Sequence, residues 1–261
     1  MKLSSKALAC GQSPMRKFHP YAVAAAAAGK KIYHLNIGQP DIHTPDALYD
    51  AIHNFRTPVL AYAASPGIPE LIGAIGRYYE NIGVQLDASD ILIDSVSKRY
   101  SACGARIGSL ACKNPEIIAN VLKLCQGRLS VSTLDMIGAT ALYAETPKSY
   151  LDEVNEEYKH RRDVTYDALQ KMDGVVCAKP EGAFYISVKL PVDDSEKFII
   201  WALENFDYNG ETLMMAPLAS FYSQPGHGVD EVRIAYVLNA DDMEKSMKVL
   251  AEALKAYPGR K

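Results

Sequence analysis

The densest chemistry in the chain lies in one stretch, Ser95-Val96-Ser97-Lys98-Arg99-Tyr100-Ser101-Ala102-Cys103-Gly104-Ala105-Arg106-Ile107-Gly108. A lysine stands there among hydroxyls and small residues, and an arginine follows eight positions later. Lysine forms Schiff bases with aldehydes, and burial beside other cations lowers its pKa for that work. A guanidinium grips phosphate bidentately, and neighbouring hydroxyls add further donors. A single lysine is ordinarily a solvated surface residue, so the weight rests on the whole S-x-S-K-x7-R-x-G pattern. An aldehyde that also carries a phosphate satisfies both halves of it, and pyridoxal 5′-phosphate (PLP) is such a molecule.

The elements that must position these residues follow from periodicity and breakers. Residues 1–35 read as an arm followed by an Ala-rich helix, and Asn36–Asp41 as a Gly/Pro loop. A short helix is expected over Asp46–Arg56, and Tyr62–Gly67 is a second loop. Pro69 opens the next helix, at a position where its missing N–H costs nothing. Ile91-Leu92-Ile93 reads as a short buried strand running straight into the lysine stretch. Pro115–Leu124 has helical spacing, and 149–172 is the clearest long helix, its stripe interrupted by Arg161 and Arg162 and stopped by Gly174. Strands are expected at Val175–Ala178, Ala183–Val188, Leu213–Ala216 and Val232–Val237. Between and after them stand helices capped by Ser195 and Asp241, the last with Met243, Met247, Leu250 and Leu254 on one face. This second half reads as an α/β unit, with mixed strands covered by helices.

The lysine stretch resembles the lysine segment of class I/II aminotransferases, the fold type I PLP-dependent enzymes, and is closest to their aspartate-type and broad-specificity members. Other segments agree in order. Asn36-Ile37-Gly38-Gln39-Pro40-Asp41 resembles the family's G-x-P-D loop, and Tyr62 to Leu71 its Y-x-x-x-x-G-x-P-E-L segment. Pro180-Glu181-Gly182-Ala183-Phe184-Tyr185 resembles a P-x-G-A-F-Y strand entry, and Val232-Arg233-Ile234-Ala235 the strand that bears a carboxylate-binding arginine.

The resemblance implies an α/β fold with an N-terminal arm and helix at 1–35. A PLP-binding large domain would occupy 36–139, and a small C-terminal α/β domain 140–261. It implies transfer of an amino group between an amino acid and a 2-oxo acid in a cytoplasmic homodimer. Lys98 would hold PLP as an internal aldimine and shuttle the proton. Ser95 and Arg106 would hold the phosphate, and Tyr62 would reach the phosphate of the neighbouring subunit. Arg233 would bind the substrate α-carboxylate, with Gly38 supplying backbone close to it.

The chain also departs from the family. Lys98 follows Leu71 by only 27 positions, whereas the family places most of its large-domain sheet there. That stretch carries the glycine-rich phosphate loop, the ring-stacking aromatic, the asparagine on the ring hydroxyl and the aspartate on the ring nitrogen. The large domain is therefore expected to be incomplete, with a junction between Ile93 and Asp94. Either the sequence belongs to a longer enzyme, or it carries an internal deletion and is a non-catalytic remnant that binds no PLP. A β-eliminating lyase on the same fold stays open. So does a serine hydrolase built on Ser95-x-x-Lys98, although its companion S-D-N and K-T-G segments are absent.

Composition narrows the field. Hydrophobic residues at 48% and charged residues at 23% suit a globular chain able to bury a core. A net charge of −3 without a basic run gives no footprint for nucleic acid. The five cysteines form no C-x-x-C pair, and the six histidines no metal spacing, so neither a disulfide framework nor a metal site is expected. No apolar run reaches membrane length, and a cytoplasmic protein without membrane contact is expected.

Overall fold

The last helix shows how the pattern becomes structure. Met243, Met247, Leu250 and Leu254 recur at three- and four-residue spacing, and all four are buried. In the computed structural model, which describes residues 5, 16–58, 60, 62–84, 94–110, 112 and 114–261, that helix spans Ala240–Ala256. The chain folds as two compact units, residues 39–154 and residues 1–38 joined by 155–261. The division read from sequence at 139/140 falls inside a helix of the first of these, and Ile91–Ile93 with the 93/94 junction lies outside the described residues.

The unit of residues 39–154 opens with α2 (Asp46–Asn54) and α3 (Pro69–Asn81), preceded in the chain by α1 (His19–Ala27) and β1 (Lys31–His34). Next come β2 (Asp94–Ser95), α4 (Val96–Arg99) and β3 (Gly108–Ser109), with β2 and β3 antiparallel in the register Asp94 to Ser109 and Ser95 to Gly108. Then follow α5 (Pro115–Gly127), α6 (Thr133–Glu145) and the start of α7 (Lys148–Leu169). Leu48, Leu71, Val96, Tyr100, Ile107, Met136 and Leu142 form the core. Helix α6 packs against both α2 and α3. Sequence periodicity gives no hint of it, because a helix covered on more than one side has no single apolar stripe. Its Gly138, Ala139 and Ala141 are all buried small residues.

The other unit contains α1, β1, most of α7, and β4 (Val176–Cys177), β5 (Tyr185–Lys189), α8 (Ser195–Glu204), β6 (Glu211–Met214), β7 (Ala216–Pro217), β8 (Glu231–Ala235) and α9 (Ala240–Ala256). Strands β4-β5-β8-β7 form an antiparallel sheet. Ile186, Val188, Val232 and Ile234 meet Phe198, Ile199 and Leu203 of α8 in one core. Gly174 stops the turn after α7 with φ +77°, a conformation glycine adopts without strain.

Three expectations are corrected here. The segment after α1 is not simply arm and helix, because Lys31–His34 is a strand pairing in parallel with β6, Lys31 against Glu211 through His34 against Met214. Asp194, not Ser195, caps α8, its Oδ1 accepting from the backbone N–H groups of Glu196 at 2.8 Å and Lys197 at 3.2 Å. Asn239, not Asp241, caps α9 by accepting from Asp242 N–H at 2.9 Å. In both cases the true cap is the last residue with non-helical backbone before the helix, one or two positions earlier. Asp194→Ala should cost about 1 kcal/mol of stability, the usual worth of an N-cap. A urea midpoint unmoved from wild type would remove that role from Asp194.

Candidate functional site

The predicted site residues fall into two groups, one in each unit. In the unit of residues 39–154 the short antiparallel pair β2–β3 brings Ser95 beside Gly108 and so closes the stretch 95–108 into a loop. Ser95 caps α4, its Oγ accepting from Ser97 N–H at 3.1 Å and donating to the Ile107 carbonyl at 3.2 Å. Lys98 is exposed on α4, and its Nζ lies 3.6 Å from Cys103 Sγ. Cys103 Sγ donates in turn to the Ser97 carbonyl at 3.1 Å. Arg106 is exposed, adopts left-handed backbone (φ +55°), and donates from Nη1 to the Cys103 carbonyl at 3.0 Å. Ser95, Lys98 and Arg106 are thus brought together around the turn 103–107. Tyr62 stands in the Tyr62–Gly67 loop, 81% exposed.

The arrangement offers an amine for an aldehyde, and a hydroxyl and a guanidinium for a phosphate, all within the segment 95–108 that the β2–β3 pair closes. That donor set fits the aldehyde and phosphate ends of PLP.

A carboxylate network underlies the same turn, and sequence reading missed it. Asp94 Oδ1 accepts from Ser95 N–H at 2.6 Å. Its Oδ2 accepts from Tyr79 Oη at 2.7 Å, from Tyr143 Oη at 3.2 Å and from Arg99 Nη1. Arg99 also lies over the Tyr78 ring at 4.6 Å, near cation–π optimum. Burial pushes the Asp94 carboxyl up, but the Arg99 and Tyr79 hydrogen bonds outweigh it and hold the group below the usual carboxylate range. Burial, with Asp94 accepting its proton, pushes the Tyr79 hydroxyl up to about 12. Arg99 and Asp94 bracket Lys98 in the chain, yet a five-residue separation matches neither helix nor strand spacing, so no periodic signal exposes the pair.

The second group belongs to residues 1–38 with 155–261. Arg233 sits mid-strand in β8, opposite Ser187 of β5 on one side and Ala216 of β7 on the other. Leu35 extends β1 toward it, its N–H donating to Met214 O at 2.9 Å and its carbonyl accepting from Ala235 N–H at 2.8 Å. That places Asn36 beside Arg233, whose Nη2 reaches the Asn36 carbonyl at 3.5 Å. Two aromatic rings flank the guanidinium, with Cζ 4.2 Å from the Tyr185 centroid and 5.2 Å from that of Phe221. Gly38 is buried against the same ring, and a Cβ there would stand 1.7 Å from Tyr185 Oη. Asn36 is 1% exposed, and its Oδ1 is buried with no hydrogen-bond partner among the described residues.

Among the described residues no group of three or more His, Cys, Asp or Glu could hold a metal ion, and no helix is long and apolar enough to cross a membrane.

Comparison with known proteins then adds the family. The model of aminotransferase class I and II matches residues 72–250. Aspartate aminotransferase of Bacillus subtilis is 29% identical over 172 residues, which are 63% of this chain and 41% of that protein. LL-diaminopimelate aminotransferase of Nitratidesulfovibrio vulgaris is 28% identical over 168 residues, 63% of this chain and 41% of that protein. Among solved structures, alanine aminotransferase from Pyrococcus furiosus superposes with a TM-score of 0.84 at 17% identity, covering 98% of this chain and 100% of that one. Thermus thermophilus aspartate aminotransferase, as a single mutant, gives 0.82 at 15% identity, covering 97% and 100%. The fold is thus that of fold type I PLP aminotransferases, with only part of the large domain present. The chain spans 41% of the length of the first of the sequence relatives it matches.

Proposed function

Because the chain belongs to the aminotransferase class I and II family, whose members are PLP-dependent enzymes, we propose that it takes part in aspartate-type transamination between an amino acid and a 2-oxo acid, as a cytoplasmic homodimer. The observation that carries this reading is the convergence of Ser95 on Ile107, and of Lys98 and Arg106 on Cys103, within the closed segment 95–108 inside the matched region. PLP, when bound, supplies an electron sink for the substrate's α-carbon.

The chain's own residues have separate tasks. Lys98 Nζ provides the covalent anchor and then the positioned acid–base that moves a proton. Arg106 binds the phosphate through its guanidinium edge, and the Ser95 hydroxyl turns to it from the Ile107 carbonyl. Tyr62, whose ring is exposed, is assigned to the phosphate held by the partner subunit. Arg233 binds the substrate carboxylate, with the Gly38 backbone beside it. We assign the 36–139 region, as divided in sequence, to the cofactor apart from Gly38, and 140–261 together with Gly38 to the substrate.

The test is the intact mass of the full chain after incubation with PLP and borohydride, followed by peptide mapping and an assay of amino transfer from aspartate to 2-oxoglutarate. One adduct, on Lys98, together with transfer is expected. No adduct, or an adduct elsewhere, overturns the proposal. Arg233→Ala should weaken dicarboxylate binding by about 2–5 kcal/mol, the cost of truncating one partner of a buried charge pair. An unchanged dissociation constant would return Arg233 to a purely structural place in β8.

A further inference from the structure

The surroundings of Arg233 carry one step more. A lone guanidinium on a strand has four rotatable bonds to order before its fork can meet a carboxylate, and that ordering costs affinity. Here two rings stand within cation–π distance of Cζ, Tyr185 at 4.2 Å and Phe221 at 5.2 Å. Tyr185 pairs with Ala235 and Arg233 pairs with Ser187, so Tyr185 and Arg233 are diagonal neighbours on one face of the β5–β8 ladder. The contact is therefore built into the sheet register. Phe221 comes from a separate element, the short helical turn Ala219–Phe221 that follows β7, and is 49% exposed.

Gly38 completes the arrangement. Its Cβ direction is filled by Tyr185, whose Oη and Cζ would lie 1.7 and 2.4 Å from an added methyl, and by Phe184 Cε2 at 2.7 Å. Its φ is not left-handed, so the glycine is not required by its backbone. It is required by the ring. The Asn36 carbonyl, two residues earlier, accepts from Arg233 Nη2. One short segment thus receives the guanidinium at Asn36 and makes room for its ring partner at Gly38.

We propose that Tyr185 and Phe221 are positioning residues that pre-orient Arg233 for a carboxylate, and that Gly38 is a spacer that lets Tyr185 take its place. This rests on the reading of Arg233 as the carboxylate-binding residue. Ring contacts hold the cation through its face and leave the edge of the guanidinium, the part that meets a carboxylate, to hydrogen bonding.

The probe is succinate, a dicarboxylate with no amino or oxo group to transfer, titrated calorimetrically into the full chain preincubated with PLP. Tyr185→Leu should bind succinate about tenfold more weakly, the worth of one partly desolvated cation–π contact. Tyr185→Phe, which keeps the ring, should restore wild-type affinity, and Phe221→Leu, at a half-exposed ring outside the buried core, should weaken it by about threefold. Gly38→Ala should behave like Tyr185→Leu. PLP adduct formation on Lys98 should be the same in the Tyr185 and Phe221 variants. If Arg233→Gln abolishes succinate binding while Tyr185→Leu and Phe221→Leu both bind as wild type, the clamp is wrong and the Arg233 reading stands. If wild type does not bind succinate, or Arg233→Gln binds as wild type does, the reading fails and the clamp with it. Equal loss in Tyr185→Phe and Tyr185→Leu would also overturn the clamp, since it would place the effect on the hydroxyl.

Discussion

Lys98→Ala is expected to abolish the borohydride-stable PLP adduct completely while leaving the protein folded. The adduct needs a nucleophilic amine near a phosphate-binding group, and Lys98 is the amine that meets Cys103 beside Arg106, the arginine assigned to the phosphate. Truncation of an exposed side chain ordinarily changes stability by no more than about 0.5 kcal/mol, so the loss would be chemical and not structural. Lys98→Arg sharpens the test. It keeps the positive charge but replaces the amine with a guanidinium that stays protonated and does not form Schiff bases. Both variants should lose the adduct and its visible absorbance, and both should melt near wild type. Persistence of the adduct in the Lys98→Ala protein would move the chemistry to another lysine and end the present assignment.

Asp94→Ala should have the largest effect on stability, about 3–5 kcal/mol, the cost of breaking a buried ion pair from one side. The Asp94 side chain is only 12% exposed and serves four donors, the Ser95 N–H, the Tyr79 and Tyr143 hydroxyls and the Arg99 guanidinium. Its loss strands a half-buried cation among tyrosines. Asp94→Asn should cost less, since the amide keeps the shape and one acceptor but not the charge. The pH dependence has a definite sign. The folded carboxyl titrates below its unfolded value of roughly 3.9, so its contribution is present above that pH and lost as pH falls through the folded value. Acid unfolding of Asp94→Asn should therefore be shallower than that of wild type below about pH 4. A urea midpoint for Asp94→Ala equal to wild type at pH 7 would show the network to be inert.

How much of this was legible beforehand differed by element, for physical reasons. The face of α9 was readable because one side is buried and the other wet, which prints a stripe in the sequence; that of α7 was readable only in part, since Arg161, read as interrupting its stripe, is itself buried and donates to the Val237 carbonyl at 2.7 Å. The presence of strands β5 and β8, though not their pairing, was readable from short apolar runs. The lysine turn was readable because chemistry demands particular residue types at close spacing. Helix α6 was not, since its buried sides are lined by Gly138, Ala139 and Ala141, which carry little hydrophobic contrast. Strand β1 was not, since Lys31 and His34 are polar, and only its pairing with β6 gives Lys31–His34 a reason to be extended. The Asp94–Arg99 pair and the rings around Arg233 were invisible for a different reason. They depend on side chains from separate elements converging, as Tyr79, Asp94 and Tyr143 do, and one-dimensional spacing does not encode that.

The pairing of Lys31–His34 with Glu211–Met214 has a consequence for the order in which the molecule is made. During translation the first strand leaves the ribosome long before its partner exists, and the whole unit of residues 39–154 is synthesised in between. That middle unit contains both ends of its own core, from Leu48 to Tyr143, and can consolidate as it emerges. The flanking unit cannot, because its N-terminal strand carries unpaired backbone groups until Glu211–Met214 arrive, and such edges invite aggregation. Closing so long a loop makes this the high-contact-order, late step of folding. Chaperone protection in the nascent chain should therefore centre on residues 31–35, and should end when β6 clears the exit tunnel.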